Sequence, residues 1–338
     1  MKGKVSSLYI HIPFCLQKCA YCDFYSVAGS DQKMIKEYID ELSKEIGKQR
    51  ASTLRTVFFG GGTPSLLSKQ QLGKLMKAIR GKYSLTEEAE ISLEANPETI
   101  AKDLTKLKQY REIGINRVSL GCQSFDNKVL SSLGRIHNAD TNIKAYRNLR
   151  RAGFKNINID LIFAVPGQTR QSWERTLRKA ISLKPEHISL YNLTTEHGLA
   201  SVLKDQELDL GMYRLARKLL KQAGYVHYEV SNFAKPGFEG RHNTTYWRNE
   251  PYLGLGASAA SSTTADDPSM TVILGLRLLQ EGVQKSRFLL RHGVELDVMF
   301  GKEIEKLRKL KMIKVDERRL KLTARGLEVA NMVFGEFV

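Results

Sequence analysis

Nothing in the 338 residues approaches the unbroken apolar run of ~20 that a membrane helix requires. The short apolar stretch near the amino terminus runs straight into charged and cysteine-bearing sequence, which is not how a secretory signal is built. Internal repeats and low-complexity tracts are absent. Cysteine is scarce, with only Cys15, Cys19, Cys22 and Cys122. Disulfide scaffolds spread their cysteines along short secreted chains, so that class is excluded and a cytoplasmic location is expected. Acidic residues number 36 against 53 Lys and Arg, for a formal charge of +17. Such an excess raises nucleic-acid binding. The basic residues are scattered rather than massed, however, so nucleic acid is not the expected partner; a basic surface suits a small carboxylate-bearing anion equally well. With 42% hydrophobic and 26% charged residues, the chain has an ordinary globular composition. Its length suggests one large domain or two unequal ones.

What is present is alternation. Strand patterns over 8–12, 57–59, 90–93, 117–120, 157–163, 187–193 and 226–230 interleave with helical spacing over 32–47, 69–80, 102–112, 139–152, 171–183 and 209–223. Repeated βα units predict a parallel sheet or barrel, with functional residues at the carboxyl ends of the strands. The pattern changes after about residue 262, where 261–269 has linker composition. Beyond it lie a helix over 303–309, a hairpin of 312–315 and 319–322 around Asp316 and Glu317, and a last helix over 325–334 capped by Thr323. The expectation is an α/β protein: an incomplete (β/α)6-type barrel over 1–262, then a small α+β, winged-helix-like unit over 270–338. Such units bind DNA about as often as they merely pack against a neighbour.

Cys15, Cys19 and Cys22 follow the first strand with C-x3-C-x2-C spacing. Soft thiolates select iron–sulfur clusters, zinc or copper(I). Structural zinc usually takes four protein ligands in C-x2-C pairs, and no second pair exists. A cubane held by three thiolates leaves one iron without a protein ligand. The alternatives are zinc with His11 or Asp23 as fourth ligand, or three unrelated thiols. Cys122 reads as a small apolar filler. Gly60–Gly61–Gly62–Thr63–Pro64 ends the second strand, where glycines let backbone approach a ligand closely and expose N–H groups. No Gly-Lys-Ser/Thr follows, so it is not a P-loop; the plain alternative is a tight strand-to-helix turn. Glu94 ends the third strand and could equally cap the next helix. Gln123 ends the fourth and suits ribose hydroxyls. Asp160 lies inside an apolar strand, where a carboxylate needs a partner; an ion pair within the barrel would satisfy it. His242 opens HNTTYW. Histidine is a common axial ligand of haem iron, although a lone histidine is more often a hydrogen-bonded structural residue.

The segments LYIHIPFCLQKCAYCDFY, FFGGGTPSLL, LEANPET, GINRVSLGCQSFD, LGRIH, NIDLIFAVPGQT, ISLYNLTTE, HYEVSNFAKPG and RHNTTYW cover 8–256 nearly without a gap. Together they resemble the radical S-adenosylmethionine superfamily, in the branch of oxygen-independent coproporphyrinogen III oxidases and HemW-type haem chaperones. The resemblance implies a radical SAM partial barrel with a [4Fe–4S] cluster on Cys15, Cys19 and Cys22. It places the amino and carboxylate groups of S-adenosyl-L-methionine on the open iron. Gly61, Gly62 and Thr63 would receive the methionine end. Glu94, Gln123, Arg135 and Asp160 match cofactor-contacting positions, Tyr9 and Tyr21 flank the cofactor, and Thr194 matches a backbone contact near the adenine. HNxxYW is typical of HemW-type proteins and makes His242 the candidate haem contact.

Phe24 stands where the oxidases carry a fourth cysteine, and the first cysteine is already at position 15, without their long amino-terminal extension. Both features favour the chaperone branch: haem binding and transfer to an acceptor protein that the sequence does not identify. The alternative is the oxidase, which decarboxylates coproporphyrinogen III propionates by radical chemistry. The chain is roughly 40 residues shorter than the group leads one to expect. The shortfall lies between 256 and 270, and a histidine found after the GLG segment is replaced, with Ala260 nearby. Haem delivery or the acceptor is therefore expected to differ.

Overall fold

Strands such as LYIHI and NIDLIF are buried along almost their whole length, as parallel strands covered on both faces must be. In the computed structural model, described over residues 5–193, 206–262 and 267–338, they form one sheet. Its strands are β1 (Ser7–Ile12), β2 (Thr53–Gly61), β3 (Ser84–Ala95), β4 (Arg117–Gln123), β5 (Asn156–Phe163), β6 (His187–Asn192), β7 (Val226–Glu229), β8 (Asn232–Ala234) and β9 (Leu253–Leu255). The nine strands lie in the order β9-β1-β2-β3-β4-β5-β6-β8-β7. Pairing is parallel from β9 through β6, and β8 is antiparallel to both β6 and β7. Among the described residues β9 and β7 remain edges, so the barrel does not close.

The crossover helices α1 (Gln32–Lys48), α2 (Lys69–Lys82), α3 (Leu104–Ile113), α4 (Ala139–Arg151), α5 (Arg170–Ser182) and α6 (Gln206–Gln222) follow the predicted spacing. α1 buries Ile35, Ile39, Leu42 and Ile46, one apolar stripe facing the sheet. Asp31, Ser68, Asp103, Asn138 and Thr169 cap their helices, Ser68 with Gln71 in a capping box. These caps fix where each strand-end loop stops, and so where the loop residues lie.

The mixed edges were not predicted. β9 follows the short helix α7 (Arg241–Trp247) and lays Leu253–Leu255 against β1. The chain then turns back, with Tyr252 bridging Ser262. A Cβ at Gly254 would lie 2.1 Å from the Ala260 carbonyl oxygen, so only glycine permits this return. The Tyr38 hydroxyl donates to the His11 carbonyl and accepts from the Ala257 amide, pinning the turn to β1. Residues 256–262, the described start of the stretch expected to be shortened, thus fold back on the sheet edge.

A second hydrophobic core spans Val272 to Phe337. It is formed by α8 (Pro268–Leu276), β10 (Val283–Gln284), α9 (Lys285–His292), α10 (Gly301–Lys309), β11 (Ile313–Val315), β12 (Arg319–Leu322), α11 (Ala324–Glu328) and α12 (Ala330–Gly335). The order β10-β12-β11, with a lone strand joining a hairpin, is the winged-helix arrangement. Thr323 does cap the helix after the hairpin, but that helix breaks at Val329. Helix α8 and strand β10 were missed because their apolar sequence is short and lacks a clear period. Arg277, at the end of α8, lies 4.1 Å from the Trp247 ring centroid and 3.4 Å from the fully buried Glu229 carboxylate. Among the described residues no helix is long and apolar enough to cross a membrane.

Candidate functional site at the carboxyl ends of the strands

β1 ends at Ile12 and the chain enters the cysteine loop. Phe14–Cys15 pairs briefly with Val27–Ala28, and the Cys22 amide donates to the Cys19 carbonyl (3.2 Å), so the loop folds back beside β2. All three thiols are half-buried. The Thr63 hydroxyl donates to Cys15 Sγ (3.4 Å), and Arg135 Nη1 donates to Cys19 Sγ (3.3 Å) and Tyr21 Oη (3.5 Å). Burial raises the Cys22 thiol, and the neighbouring Cys19 and Cys15 push it the same way. Three sulfurs thus share one electrostatic neighbourhood, into which the Arg135 cation and the neutral Thr63 hydroxyl donate. Among the described residues no three His, Cys, Asp or Glu side chains gather tightly enough for one metal ion. His11 is not a spare ligand, because its Nδ1 pairs with the Tyr9 hydroxyl (3.0 Å) and its Nε2 with the Tyr25 carbonyl (2.9 Å). A single zinc wants four close ligands, whereas the three thiolates of a cubane bind different irons and stand farther apart. The donor set fits the cluster.

The glycine turn is dictated by what crosses it. A Cβ at Gly60 would lie 2.8 Å from Phe58 and 2.9 Å from Tyr9; at Gly61, 2.6 Å from the His11 ring; at Gly62, 2.8 Å from the Phe14 carbonyl oxygen. The Gly61 amide donates to Glu94 (3.0 Å) and the Gly62 amide to the Ile12 carbonyl (2.8 Å). The expectation that these glycines expose N–H groups is therefore corrected. Both N–H groups are spent within the protein, and the glycines serve the close crossing of Tyr9, His11 and Phe14.

Glu94 and Asp160 face each other across the sheet interior. Burial and then Asp160 raise the Glu94 carboxyl to about 8, against the opposing pull of the Gly61 N–H and Arg117. Burial also raises Asp160, which accepts from the Ser119 hydroxyl (2.9 Å) and the Asn158 amide (2.7 Å). Asp160 is thus satisfied mainly by hydrogen bonds, with Arg117 contributing, and among the described residues it has no direct ion pair. Gln123 ends β4 with φ +62°, a left-handed turn that swings its half-buried amide back over Gly121. Arg135 also donates to Asn96 Oδ1 (2.8 Å) and the Gly121 carbonyl (3.2 Å), while its buried Nε has no partner among the described residues. An orphaned guanidinium N–H beside three thiols is what an anionic group bound there would satisfy. Thr194 lies outside the described residues.

His242 is elsewhere. It is 1% exposed, at the level of Thr56 near the amino end of β2. Its Nδ1 pairs with the Thr56 hydroxyl (2.8 Å) and its Nε2 with the Tyr246 hydroxyl (2.6 Å). Burial, and then Arg117, lower it to about 3. The Glu90 carboxylate accepts the Arg241 and His242 backbone N–H groups, anchoring the start of α7. As folded, His242 has no free lone pair and no open face for haem iron, which corrects the reading of HNTTYW as a haem contact. The motif instead plugs the amino end of the sheet, joined to the other end by ring contacts Tyr9–Phe58 (6.1 Å) and Phe58–His242 (5.1 Å). A cavity of about 390 Å³ flanks α7, but its Arg55, Arg241 and Arg248 are already bonded to Glu250, the Glu88 carbonyl and Glu281.

Sequence reading passed over Asn96, Glu98 and His137. Glu98 lies 2.9 Å from His137 and 3.9 Å from Arg135, and Asn96 bridges Thr63 and Arg135. The signal was the strand-ending LEANPET, whose Asn96 and Glu98 both approach Arg135. Cys122 is fully buried, as a filler should be.

Comparison with known proteins agrees with this geometry. Residues 9–180 match the model of the radical SAM superfamily, and 263–329 match the HemN C-terminal domain. The chain is 35% identical over 378 residues to the heme chaperone HemW of Lactococcus lactis, covering 100% of this chain and 98% of that one. It is 35% identical over 380 residues to the heme chaperone HemW of Bacillus subtilis, covering 99% of each. Among solved structures, it superposes on the coproporphyrinogen III oxidase HemN of Escherichia coli with a TM-score of 0.83, at 24% identity, over 99% of this chain and 90% of that one.

Proposed function

The chain belongs to the radical SAM superfamily and to the HemW group within it, and from that premise we propose that it binds haem and passes it to an acceptor protein. It does so with a [4Fe–4S] cluster on Cys15, Cys19 and Cys22 and S-adenosyl-L-methionine beside it. The observation that carries the cofactor reading is a loop of three half-buried thiols, two of them already receiving hydrogen bonds from Thr63 and Arg135. When bound, such a cluster supplies one-electron chemistry and an open iron for the cofactor's amino and carboxylate groups. The chain's own residues do the rest. Thr63 and Arg135 offset the charge on sulfur, and the orphaned Arg135 Nε offers a donor to a carboxylate. Protonated Glu94 can donate a hydrogen bond into the interior at neutral pH, while Gln123 offers its amide at the end of β4.

The haem reading rests on the two full-length relatives and on Phe24, which stands where the oxidases carry a further cysteine. Phe24 is 64% exposed beside the loop. The test is anaerobic reconstitution with iron and sulfide, followed by haem titration and product analysis with coproporphyrinogen III. About four irons per chain and stoichiometric haem uptake without protoporphyrinogen are expected. Protoporphyrinogen formation would replace the carrier with the oxidase. A loaded cluster with neither haem uptake nor turnover would reject both.

A further inference from the structure

We propose that Asn96 is a positioning residue that holds both sulfur-directed hydrogen bonds in place and thereby sets the reduction potential of the cluster. The inference rests on the cluster reading given above. Asn96 Nδ2 donates to Thr63 Oγ1 (2.9 Å), and Thr63 Oγ1 donates to Cys15 Sγ (3.4 Å). On its other side, Asn96 Oδ1 accepts from Arg135 Nη2 (2.8 Å), whose companion Nη1 donates to Cys19 Sγ (3.3 Å). One amide thus joins the donors of two different cysteines without touching either sulfur.

The chemistry of the groups fixes the direction of each bond. Arginine only donates, so the amide oxygen must face Arg135 and the NH2 must face Thr63. With the Asn96 N–H occupying a lone pair of the Thr63 hydroxyl, that hydroxyl directs its single hydrogen to Cys15. Arg135 Nη2 is taken by Asn96 and the Gly121 carbonyl (3.2 Å), which turns Nη1 toward Cys19. Asn96 is itself held. Its backbone N–H donates to Ser65 Oγ (3.2 Å), its backbone carbonyl accepts from the Thr99 backbone N–H (3.1 Å), and Pro97 follows it. Space has been left for it as well, since a Cβ at Gly121 would lie 2.9 Å from Asn96 Oδ1. Asparagine is the one side chain of this length that both donates and accepts in this order. Aspartate would draw the Thr63 hydrogen to itself and away from Cys15.

One-electron reduction adds negative charge to a cluster, so donors aimed at its sulfurs are worth more in the reduced state. Loosening them makes reduction harder. The experiment is an electron-paramagnetic-resonance redox titration of the anaerobically reconstituted full chain, with iron counted in every sample. Asn96→Ala is expected to load about four irons and to shift the one-electron equilibrium about tenfold toward the oxidised form, some 59 mV lower. Thr63→Val is expected to shift it less, and the double variant less than the sum, because part of the Asn96 effect passes through Thr63. An unchanged potential in loaded Asn96→Ala overturns the proposal. Should Asn96→Ala fail to load, near-isosteric Thr63→Val decides: a lower potential supports the relay and an unchanged one overturns it. A wild-type chain that never takes up iron would sink the cluster reading itself, a result told apart by the iron count. A residue that merely shaped the loop would change loading or stability and leave the potential of the loaded protein where it was.

Discussion

At the carboxyl ends of the strands the three thiols are half-buried, Arg135 keeps a buried N–H without a partner among the described residues, and Glu94 is held near neutrality without a cation directly on it. At the amino end, His242 is 1% exposed with both ring nitrogens engaged, and Glu90 accepts the two N–H groups that open α7. Both ends carry residue types that chemistry uses, and both lie in segments that resemble a family motif. Among the described residues both ends keep a buried N–H without a partner, Arg135 Nε at one and Trp247 Nε1 at the other, but only the first lies beside the thiols. A buried polar group whose partners are complete belongs to the architecture, and one whose partners are missing calls for a water, an ion or a ligand to complete it. Aromatic contacts through Tyr9 and Phe58 connect the two ends, so the plug supports the site without being part of it.

The sharpest way to break this contrast is to remove the thiols. Replacing Cys15, Cys19 and Cys22 together with serine should take iron content after reconstitution from about four per chain to none. Because these residues lie on a half-buried loop, the unfolding midpoint of the apo chain in urea should hardly move; a large drop would show the loop to be structural. The counterpart at the other end is His242→Ala. It strands the Thr56 and Tyr246 hydroxyls and opens a cavity, so a loss of roughly 2–4 kcal/mol in denaturant stability is expected. Four irons should still load in conditions where the variant is folded, and haem affinity per folded chain should be retained. Selective loss of haem with unchanged stability would return His242 to the binding site.

The smallest effect, taken per pH unit, is in pH dependence, where the two ends should act with opposite sign. Glu94 is raised to about 8, so the native state holds its proton more tightly than the unfolded chain does. Its contribution is full below the ordinary carboxyl value of about 4.5 and is lost as pH rises toward 8, at most about 1.4 kcal/mol per pH unit. His242 is lowered to about 3, so its contribution is present above the ordinary histidine value and is lost as pH falls from about 6.5 toward 3. Unfolding of the apo chain measured from pH 4 to 8 should show Glu94→Gln flattening the loss of stability that runs from about pH 4.5 to 8 and leaving the behaviour below 4.5 unchanged. An unaltered slope over that range would mean that Glu94 is ionised throughout.

The alternation of strands and amphipathic helices was legible because periods of two and of 3.6 are local properties of the chain. The same holds for the hairpin around Asp316 and its Thr323 cap, both set within a few residues. What escaped were pairings made at a distance. β9 is a strand only because Leu253–Leu255 meets β1, and β10 only because it meets β12. Short segments of that kind carry no period of their own, and tertiary contact decides them. The cysteine spacing marked the loop where Thr63 and Arg135 donate to two thiols, and LEANPET the strand end that carries Glu94 and Asn96. The role of Asn96 was invisible, because Thr63 and Arg135 are 33 and 39 residues away from it.

By itself the sequence determined the βα order, the strand ends at which chemistry could occur, and the soft-ligand triplet with no second cysteine pair, since spacing and residue type are set along the chain. Tertiary structure alone decided which polar residues are spent and which are open. It consumed the Gly61 and Gly62 amides, closed His242 between Thr56 and Tyr246, and drew Asn96 between two sulfur-directed donors. The physical reason is that hydrogen-bond satisfaction is a count of neighbours in space, and those neighbours come from strands far apart in the chain.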